Sequence, residues 1–113
     1  MYPFVYISPD LVEALPEFLK WFWSVRDATT RGRIADRVGR LAKGNPGDFK
    51  MIDRNLFELR LHFGPGYRVY FAKRGKVRVL LLAGGDKWSQ PRDIALARSL
   101  PVSYTHLTLP TKA

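Results

Sequence analysis

The spacing of apolar residues divides the chain into a helical first half and a strand-rich second half. Residues 16–27, PEFLKWFWSVRD, predict a first helix, and Pro16 suits its first turn because the missing N–H needs no partner there. The apolar positions of this segment recur at helical spacing: Phe18, Trp21, Phe22 and Val25. We expect these aromatic residues to form core rather than a ligand site. The preceding residues 10–15, DLVEAL, predict a short first strand.

A second helix follows, and its buried stripe is predicted to consist of Ile34, Val38 and Leu41. Arginines surround this stripe at Arg31, Arg33, Arg37 and Arg40. The sequence Gly44-Asn45-Pro46-Gly47 should end the helix, because glycine after the last turn and proline beyond it are typical stop signals.

After residue 50 the period changes to two, which indicates strands. In residues 56–63, LFELRLHF, one side of the predicted strand is apolar: Phe57, Leu59, Leu61 and Phe63. The other side carries Glu58, Arg60 and His62. Beyond the turn 64–66, Val69 and Phe71 continue the apolar side, and Arg68 and Tyr70 continue the polar side.

The register of this hairpin can be predicted from the two faces. A three-residue loop at 64–66 pairs Phe63 with Tyr67, and it keeps apolar opposite apolar and polar opposite polar. It also pairs His62 with Arg68, and Arg60 with Tyr70. Arg60, His62, Arg68 and Tyr70 should then form one polar patch, with side-chain roots ~5–8 Å apart.

The remaining segments complete an α+β fold. Residues 73–76 predict a turn, residues 77–83, VRVLLLA, an interior strand, and residues 84–100 a glycine loop that leads into a final helix. The expected order is a short first strand, two packed helices, an antiparallel sheet of three to four further strands and a C-terminal helix. We assign residues 10–101 to this domain. Residues 1–9 are assigned to an N-terminal extension.

Residues 102–113, VSYTHLTLPTKA, differ from the rest of the chain. Arginine disappears, the helical period stops at Pro101, and the string is rich in Ser, Thr and Pro. It resembles a translated sequencing-adapter read-through, so we expect it to be a non-native tail that follows a truncated final helix.

The positive charge of the chain is unevenly distributed along the sequence. The chain has 113 residues and a net charge of +9, but residues 1–53 carry only +1 whereas residues 54–98 carry +7. Such an excess indicates either a surface that binds a polyanion or a solvated basic face, and charge alone does not distinguish the two. Cysteine is absent, which excludes disulfides and thiol chemistry. Residues 1–9 lack the features of a signal peptide, so a cytoplasmic location is expected.

Several enzyme classes lack the residues that they need. The chain has only two histidines, one of them in the tail, and its carboxylates are not clustered, which argues against a metal site. No Ser/His/Asp triad can be proposed, and neither GPG nor GGDK has the GxxxxGK[ST] pattern of a phosphate-binding loop. We therefore expect no cofactor.

Four segments together resemble a known family. EFLKWFWSVRD, GRIADRVGRLAKGNPGDFK, FELRLHFGPGYRVYF and LLLAGGDKWSQPRDIALA are similar to the addiction-module killer proteins, the HigB-type toxins of the RelE/ParE superfamily. The resemblance runs from Leu15 to Leu100 without an apparent gap. It implies a RelE-like fold and a toxin that is neutralised by an antitoxin, usually a small helix-turn-helix protein.

Many members of this superfamily cleave mRNA on the ribosome and so inhibit translation, whereas the ParE branch inhibits DNA gyrase. In the RNA-cleaving members, the resemblance places the catalytic basic residues at Arg60, Arg68 and Lys87. Two departures are visible. Glu58 stands where the best-studied RelE type has a second lysine, and no tyrosine lies in the final helix, where that type has one near the scissile phosphate.

The chemistry that fits these residues is metal-free attack of the ribose 2′-hydroxyl on the adjacent phosphorus. Arg68 is expected to hold two phosphate oxygens. His62 is the candidate base, because histidine titrates near neutral pH, and Lys87 or Arg60 would bind phosphate or assist the leaving group. Tyr70 would stack on a base or orient the phosphate. The expected RNA-backbone contacts are Lys50, Arg54, Lys73 and Arg78.

Two alternatives remain open from the sequence. A ParE-like inhibitor of gyrase would cut nothing, and an inactive relative would only bind RNA. The predicted polar patch favours an mRNA interferase, because a pure binding protein has no need of a central proton acceptor such as His62; the patch consists of Arg60, His62, Arg68 and Tyr70. We expect Asp86 to cap its loop or to pair with a basic neighbour, and Gln90 and Trp88 to serve helix initiation and packing.

Overall fold

A computed structural model of the chain describes residues 12–74 and 78–100. The elements, in chain order, are β1 (Val12–Ala14), α1 (Pro16–Ser24), α2 (Ala28–Ala42), β2 (Phe49–Asp53), β3 (Leu56–Arg60), β4 (Arg68–Arg74), β5 (Arg78–Gly85) and α3 (Gln90–Ser99). The strands form one sheet in the order β1-β5-β4-β3-β2. The predicted α+β fold and its element order are confirmed. The expected extension 1–9 and tail 102–113 lie outside the described residues.

The sheet is mixed because β1 runs parallel to β5, whereas the pairs β2–β3, β3–β4 and β4–β5 are antiparallel. β5 lies between β1 and β4, so the predicted interior strand is confirmed. Gly84 and Gly85 belong to this strand, not to a loop as expected. The loop before α3 is therefore short, running from Asp86 to Ser89.

The two helices α1 and α2 cover one face of the sheet, here called the α1/α2 face. The predicted stripe Ile34, Val38 and Leu41 is buried there, as are Phe18 and Phe22 of α1. The strands contribute the apolar side of the predicted alternation: Leu59, Leu61, Val69, Phe71, Val79 and Leu81. Burial of apolar side chains therefore holds this face together.

The end of α2 follows the predicted stop signal. Gly44 has φ 89°, a conformation that glycine adopts without strain. The N–H of Gly44 donates to the carbonyl of Leu41 at 3.0 Å, and the N–H of Asn45 donates to that of Arg40 at 2.8 Å. This pair of bonds is the Schellman motif, which satisfies the last helical carbonyls and turns the chain towards β2.

Helix α3 covers the opposite face, here called the α3 face. Its apolar contacts join Ala97 to Leu56, Ala72, Leu80 and Leu82 of the strands. Glu58, Tyr70 and Asp93 are also buried on this side. The alternation thus assigned side chains to the correct face, but the side expected to be polar and exposed lies largely beneath a helix.

The hairpin register differs from the predicted one. Arg60 pairs with Arg68 and Glu58 with Tyr70, so the predicted pairs of Phe63 with Tyr67, His62 with Arg68 and Arg60 with Tyr70 are wrong. The N–H of Leu61 donates to the carbonyl of Tyr67 at 2.9 Å, which leaves residues 62–66 as the connection. The shift of two residues preserves which face each side chain occupies. It arises because a turn closed by Gly66 N–H to Phe63 O, at 3.1 Å, takes His62 and Phe63 out of the ladder.

Candidate functional site

The ends of three strands bring the expected catalytic cations together. Arg60 ends β3, Arg68 begins β4, and the register aligns both with Gly85 at the end of β5. Lys87 follows two residues later. A methyl group placed on Gly66 would lie 3.3 Å from Lys87 Cβ and 3.7 Å from Arg68 Nη1, so this one glycine borders both side chains. Arg60, Arg68 and Lys87 are called the basic cluster below.

Glu58 lies at the centre of this end of the sheet and is fully buried. Its Oε1 accepts a hydrogen bond from Arg60 Nε at 2.9 Å. Its Oε2 accepts from Tyr70 Oη at 3.3 Å and from the Gln90 side-chain amide, while Arg68 Nε lies 3.8 Å away. One carboxylate thereby joins two arginines, a strand tyrosine and the first residue of α3.

The surroundings of Glu58 stabilise its ionised form. Burial by itself would raise the pKa of this carboxyl, but the hydrogen bonds from Gln90 and Arg60 and the charges of Arg60 and Arg68 outweigh it, so its pKa lies below the ordinary value of 4.5. A buried anion held between two guanidinium groups fixes their orientation. Glu58 is therefore a positioning residue.

Arg68 keeps hydrogen-bonding capacity for a ligand. Its Nε is buried and donates to no described residue, and Nη1 makes only a long bond of 3.4 Å to the carbonyl of Gly66. Guanidinium carries five donors, so most of them remain available. The side chains of Arg68 and Arg60 are 13% and 30% exposed, which leaves both within reach of an anion from solvent.

The loop that carries Lys87 is held by short-range hydrogen bonds. Asp86 accepts from the N–H groups of Trp88 and Ser89 at 2.8 and 3.0 Å, so its expected capping role is confirmed. Lys87 is exposed, and its Nζ lies 5.6 Å from the ring of Trp88. Trp88 itself is 80% exposed, so its expected packing role is wrong. Gln90 begins α3 as predicted.

Tyr70 does not have the environment that was predicted for it. It is completely buried, and its hydroxyl contacts Glu58 within the α3 face. Burial, and then the charge of Glu58, raise its pKa above the ordinary value of 10.0. Stacking of Tyr70 on an RNA base is therefore excluded in this conformation, because α3 covers the ring.

His62 is not paired with Arg68 on the sheet. Its Nε2 contacts the carboxylate of Asp48, and it borders a cavity of about 370 Å³ beside α2, together with Arg33, Arg40 and Phe63. The hydrogen bond from His62 holds the pKa of Asp48 below its ordinary value. The expectation that His62 lies among arginines of the sheet face is wrong, because the turn at 63–66 takes it out of that face.

The four expected RNA-backbone contacts are not brought together. Lys50 pairs with Glu58 and is exposed on the same face as the basic cluster. Lys73 lies five residues along β4 from Arg68, about 16 Å away. Arg54 occupies the β2–β3 turn and Arg78 begins β5, both at the end of the sheet that holds Lys73. Only Lys50 can therefore extend the basic cluster.

Sequence reasoning missed Glu58, Gln90 and Arg37. Arg37 donates to the carbonyls of Arg60 and Pro46, both at 2.8 Å, and so ties the segment before β2 to the end of β3. The alternation did place Glu58 on the same side as Arg60, which is the signal that it could contact a charged neighbour. Its contact with Gln90 depends on how α3 crosses the sheet, which no local pattern reveals.

The described residues also limit other types of site. Within residues 12–74 and 78–100, no group of three or more histidines, aspartates or glutamates is arranged to hold a metal ion. No helix in these ranges is both long and apolar enough to cross a membrane.

The fold and site define an α+β protein with a mixed five-stranded sheet and a basic cluster organised by a buried glutamate. No model of a protein family and no solved structure matches the chain. The chain is 41% identical, over 83 residues, to an uncharacterized protein of Haemophilus influenzae; the match covers 74% of this chain and 84% of that protein. The chain belongs to the same family as this Haemophilus protein.

Proposed function

We propose that the chain is the toxin of a type II toxin–antitoxin system, a HigB-type member of the RelE/ParE superfamily that cleaves mRNA on the ribosome without a metal ion. The observation that carries this proposal is the convergence of Arg60, Arg68 and Lys87 at one accessible end of the sheet. The element order is the one that the family resemblance implies. Its partners would be mRNA in the cytoplasm and a small helix-turn-helix antitoxin.

The departure at Glu58 has a physical interpretation within this proposal. The best-studied RelE type has a lysine at this position, but here the carboxylate is buried and joined to both arginines. It therefore does not contact a phosphate itself. Instead, Glu58 would hold Arg60 and Arg68 in the orientation needed to bind one, which lowers the entropy that RNA binding costs.

The proposed reaction is an internal transfer at phosphorus. The 2′-oxygen loses its proton and bonds to the adjacent phosphorus, and the bond to the 5′-oxygen breaks, leaving a 2′,3′-cyclic phosphate and a 5′-hydroxyl. Arg68 would bind the non-bridging oxygens, where negative charge develops. Arg60 would share that charge, and protonated Lys87 would donate a proton to the leaving 5′-oxygen.

Although His62 lies outside the face that holds the basic cluster, it is kept as the candidate proton acceptor because its partner Asp48 is adjacent to Arg60, whose N–H donates to the Asp48 carbonyl at 3.0 Å. Asp48 contacts one ring nitrogen, Nε2, which would fix the tautomer and leave the other nitrogen as an acceptor. His62→Gln keeps the size and one hydrogen bond, so a base role predicts a loss of ~10²–10⁴ in cleavage rate. If this variant cleaves at the wild-type rate, the base lies elsewhere. Lys87 in its neutral form is then the next candidate, and assistance to the leaving 5′-oxygen would pass to Arg60.

Trp88 takes the stacking role that Tyr70 is unable to fill. Its ring is exposed beside Lys87, and stacking of a base on an exposed aromatic ring contributes about 1–3 kcal/mol. Because stacking needs no particular base, Trp88 would raise affinity without setting sequence preference. Trp88→Ala should therefore weaken RNA binding and leave the cleavage positions unchanged.

Induced expression with mapping of mRNA 5′ ends tests the proposal. Wild-type protein should stop growth and produce new 5′ ends within translated regions, whereas Arg68→Ala should produce neither. Co-expression of a helix-turn-helix protein encoded beside the gene should restore growth. Growth arrest without new 5′ ends, accompanied by cleaved DNA–gyrase complexes, would instead assign the chain to the gyrase inhibitors.

A further inference from the structure

A second surface lies away from the basic cluster. A groove of about 600 Å³ runs between the C-terminal end of α2 and the α1/α2 face of the sheet. Leu41 of α2, Phe71 of β4 and Val79 of β5 line it, and Phe49 of β2 forms one wall. Lys73 and Arg78, which were expected to contact RNA, line this groove instead.

Large apolar side chains on this surface are exposed. Phe49 is 42% exposed, and Met51, two residues further along β2 and on the same face, is 60% exposed. Phe49, Phe57 and Phe71 form a continuous aromatic row across three strands, with ring centroids 6.2 and 5.2 Å apart. An apolar strip of this kind with polar residues at its rim is typical of a protein-binding site.

The charge at the rim has one sign. Lys43, Lys73 and Arg78 line the groove, and none of the described residues that line it is acidic. Glu13 pairs with Arg78 at 3.3 Å, but Lys73 extends over the ring of Phe57, with Nζ 5.2 Å from the centroid. The complementary partner therefore carries carboxylates around apolar side chains.

The edge of the sheet argues for a helix rather than an added strand. β2 is an edge strand, but it contains a register irregularity between Met51 and Asp53 and carries the exposed Lys50. Bulges and outward lysines hinder pairing with another strand. An RNA strand is a poorer fit, because phosphates bound by Lys73 would lie against the exposed apolar side chains of Phe49 and Met51, which offer them no hydrogen bond.

We propose that this groove binds an acidic amphipathic helix of a partner protein, with apolar side chains against Phe49 and Met51 and carboxylates towards Lys43 and Lys73. Recognition would follow the helix-in-groove mode, in which apolar residues at i, i+3, i+4 and i+7 provide the anchors. The proposal goes beyond the nuclease function and does not rest on it, since the groove and the basic cluster share no residue.

The test uses the full chain and a panel of synthetic amphipathic peptides of about 18 residues, roughly five helical turns. Their polar faces carry glutamate, and control peptides carry lysine at the same positions. Amide NMR spectra should show saturable shifts at Phe49, Met51 and Lys73 with the acidic peptides and none with the basic ones. Binding should weaken at least ~10-fold in Met51→Asp and in Lys73→Glu.

Two variants on α3 are the controls for Met51→Asp and Lys73→Glu, because they make the same kinds of change outside the groove. Leu96→Asp changes an apolar residue on α3 that is 40% exposed, against 60% for Met51, and Arg92→Glu changes an exposed charge on that helix. Both should leave peptide affinity within ~2-fold of wild type. Four outcomes would each overturn the proposal: shifts centred on Arg60 and Lys87, no shifts from any acidic peptide at about 1 mM, displacement of the peptides by single-stranded RNA, or occupation of the groove by a second copy.

Discussion

The two faces of the sheet are closed by different interactions. The α1/α2 face consists of aliphatic and aromatic contacts, such as Phe22 against the strands. The α3 face buries apolar residues as well, but it also encloses Glu58, Asp93 and the hydroxyl of Tyr70. Apolar burial is non-directional, whereas each buried polar group needs a partner at a defined position. The second face therefore fixes side-chain orientation as well as stability.

This difference explains where the basic cluster lies. Arg60 and Arg68 are oriented by Glu58 on the α3 face, and Gln90 connects the same carboxylate to α3. The α1/α2 face has no buried carboxylate among the residues of its described core. The α1/α2 face therefore stabilises the sheet through apolar packing, and the α3 face provides the hydrogen bonds and ion pairs that orient side chains. The following variants test this division.

The largest expected effect is on the apolar face. Phe22→Ala removes a fully buried ring and should lower the free energy of unfolding by about 4 kcal/mol. The loss should be nearly the same at neutral pH and at about pH 4, because no titrating group contributes to it. Urea unfolding at the two pH values measures this. A loss that shrinks at low pH would show that α1 depends on ionised groups.

Removal of the buried carboxylate should have a pH-dependent effect. Glu58→Ala leaves Arg60 and Arg68 without their anion and should cost about 3 kcal/mol at neutral pH. The folded pKa of Glu58 lies below 4.5, so its contribution is present above that pH and is lost as the pH falls through the folded pKa.

Urea unfolding from neutral pH to about pH 3 checks this prediction, with Glu58→Gln as the control that keeps size without charge. The difference between wild type and Glu58→Ala should narrow as the pH falls. A constant difference would contradict the ionic role of Glu58.

Gly84 and Gly85, at the end of β5, face opposite sides of the sheet, so a substitution at each glycine tests one face. A methyl group on Gly84 would overlap the ring of Trp21, and one on Gly85 would overlap the carboxylate of Asp93. Gly84→Ala should cost about 2 kcal/mol, because the partly buried indole of Trp21 packs against the core and must shift to make room. Gly85→Ala should lower the free energy of unfolding by less than Gly84→Ala does. It should, however, displace Asp93 and the loop from Asp86 to Ser89.

Thermal unfolding of the two glycine variants provides the comparison. Amide NMR shifts at residues 86–90 should change in Gly85→Ala and stay near wild type in Gly84→Ala. The reverse pattern would mean that the loop is organised from the α1/α2 face.

The smallest expected effect concerns the tyrosine hydroxyl. Tyr70→Phe removes one hydrogen bond to Glu58 and should cost about 1 kcal/mol at neutral pH. The pKa of Tyr70 in the folded protein is raised above 10.0, so the folded state favours the neutral phenol. The stability that this preference contributes to the wild type is fully present below pH 10.0 and is lost as the pH rises through the folded pKa. Urea unfolding above about pH 10 should show a shallower decline in the variant. Equal declines would contradict the burial of an ionisable Tyr70.

The sequence was most informative where apolar burial decides the structure. The stripe Ile34, Val38 and Leu41, the stop at Gly44 and the interior strand β5 all follow local rules of periodicity and backbone conformation. The face of each strand residue was also predictable, since a two-residue register shift does not change it.

The candidate site was predictable only in part. The family resemblance pointed to Arg60 and Arg68 on the hairpin and to Lys87 in the loop before the final helix, and the structure brings the three residues together. The burial of Tyr70 and the position of His62 were not predictable, because they depend on how α3 crosses the sheet and on a turn at 63–66. Such contacts are set by tertiary structure, which alternation does not encode.

The central claim that we propose is that Arg60 and Arg68, oriented by Glu58, form together with Lys87 the site that cleaves RNA. Its most direct test is the rate of cleavage of ribosome-bound mRNA by wild type, Arg68→Ala, Arg68→Lys and the exposed control Arg92→Ala, each checked for folding by thermal unfolding. We expect the cleavage rate to fall by ~10²–10³ in Arg68→Ala. Arg68→Lys should lose an intermediate amount, because lysine keeps the charge but not the bidentate contact with phosphate. Arg92→Ala should cleave at the wild-type rate. Folded Arg68→Ala that cleaves at the wild-type rate would contradict the claim.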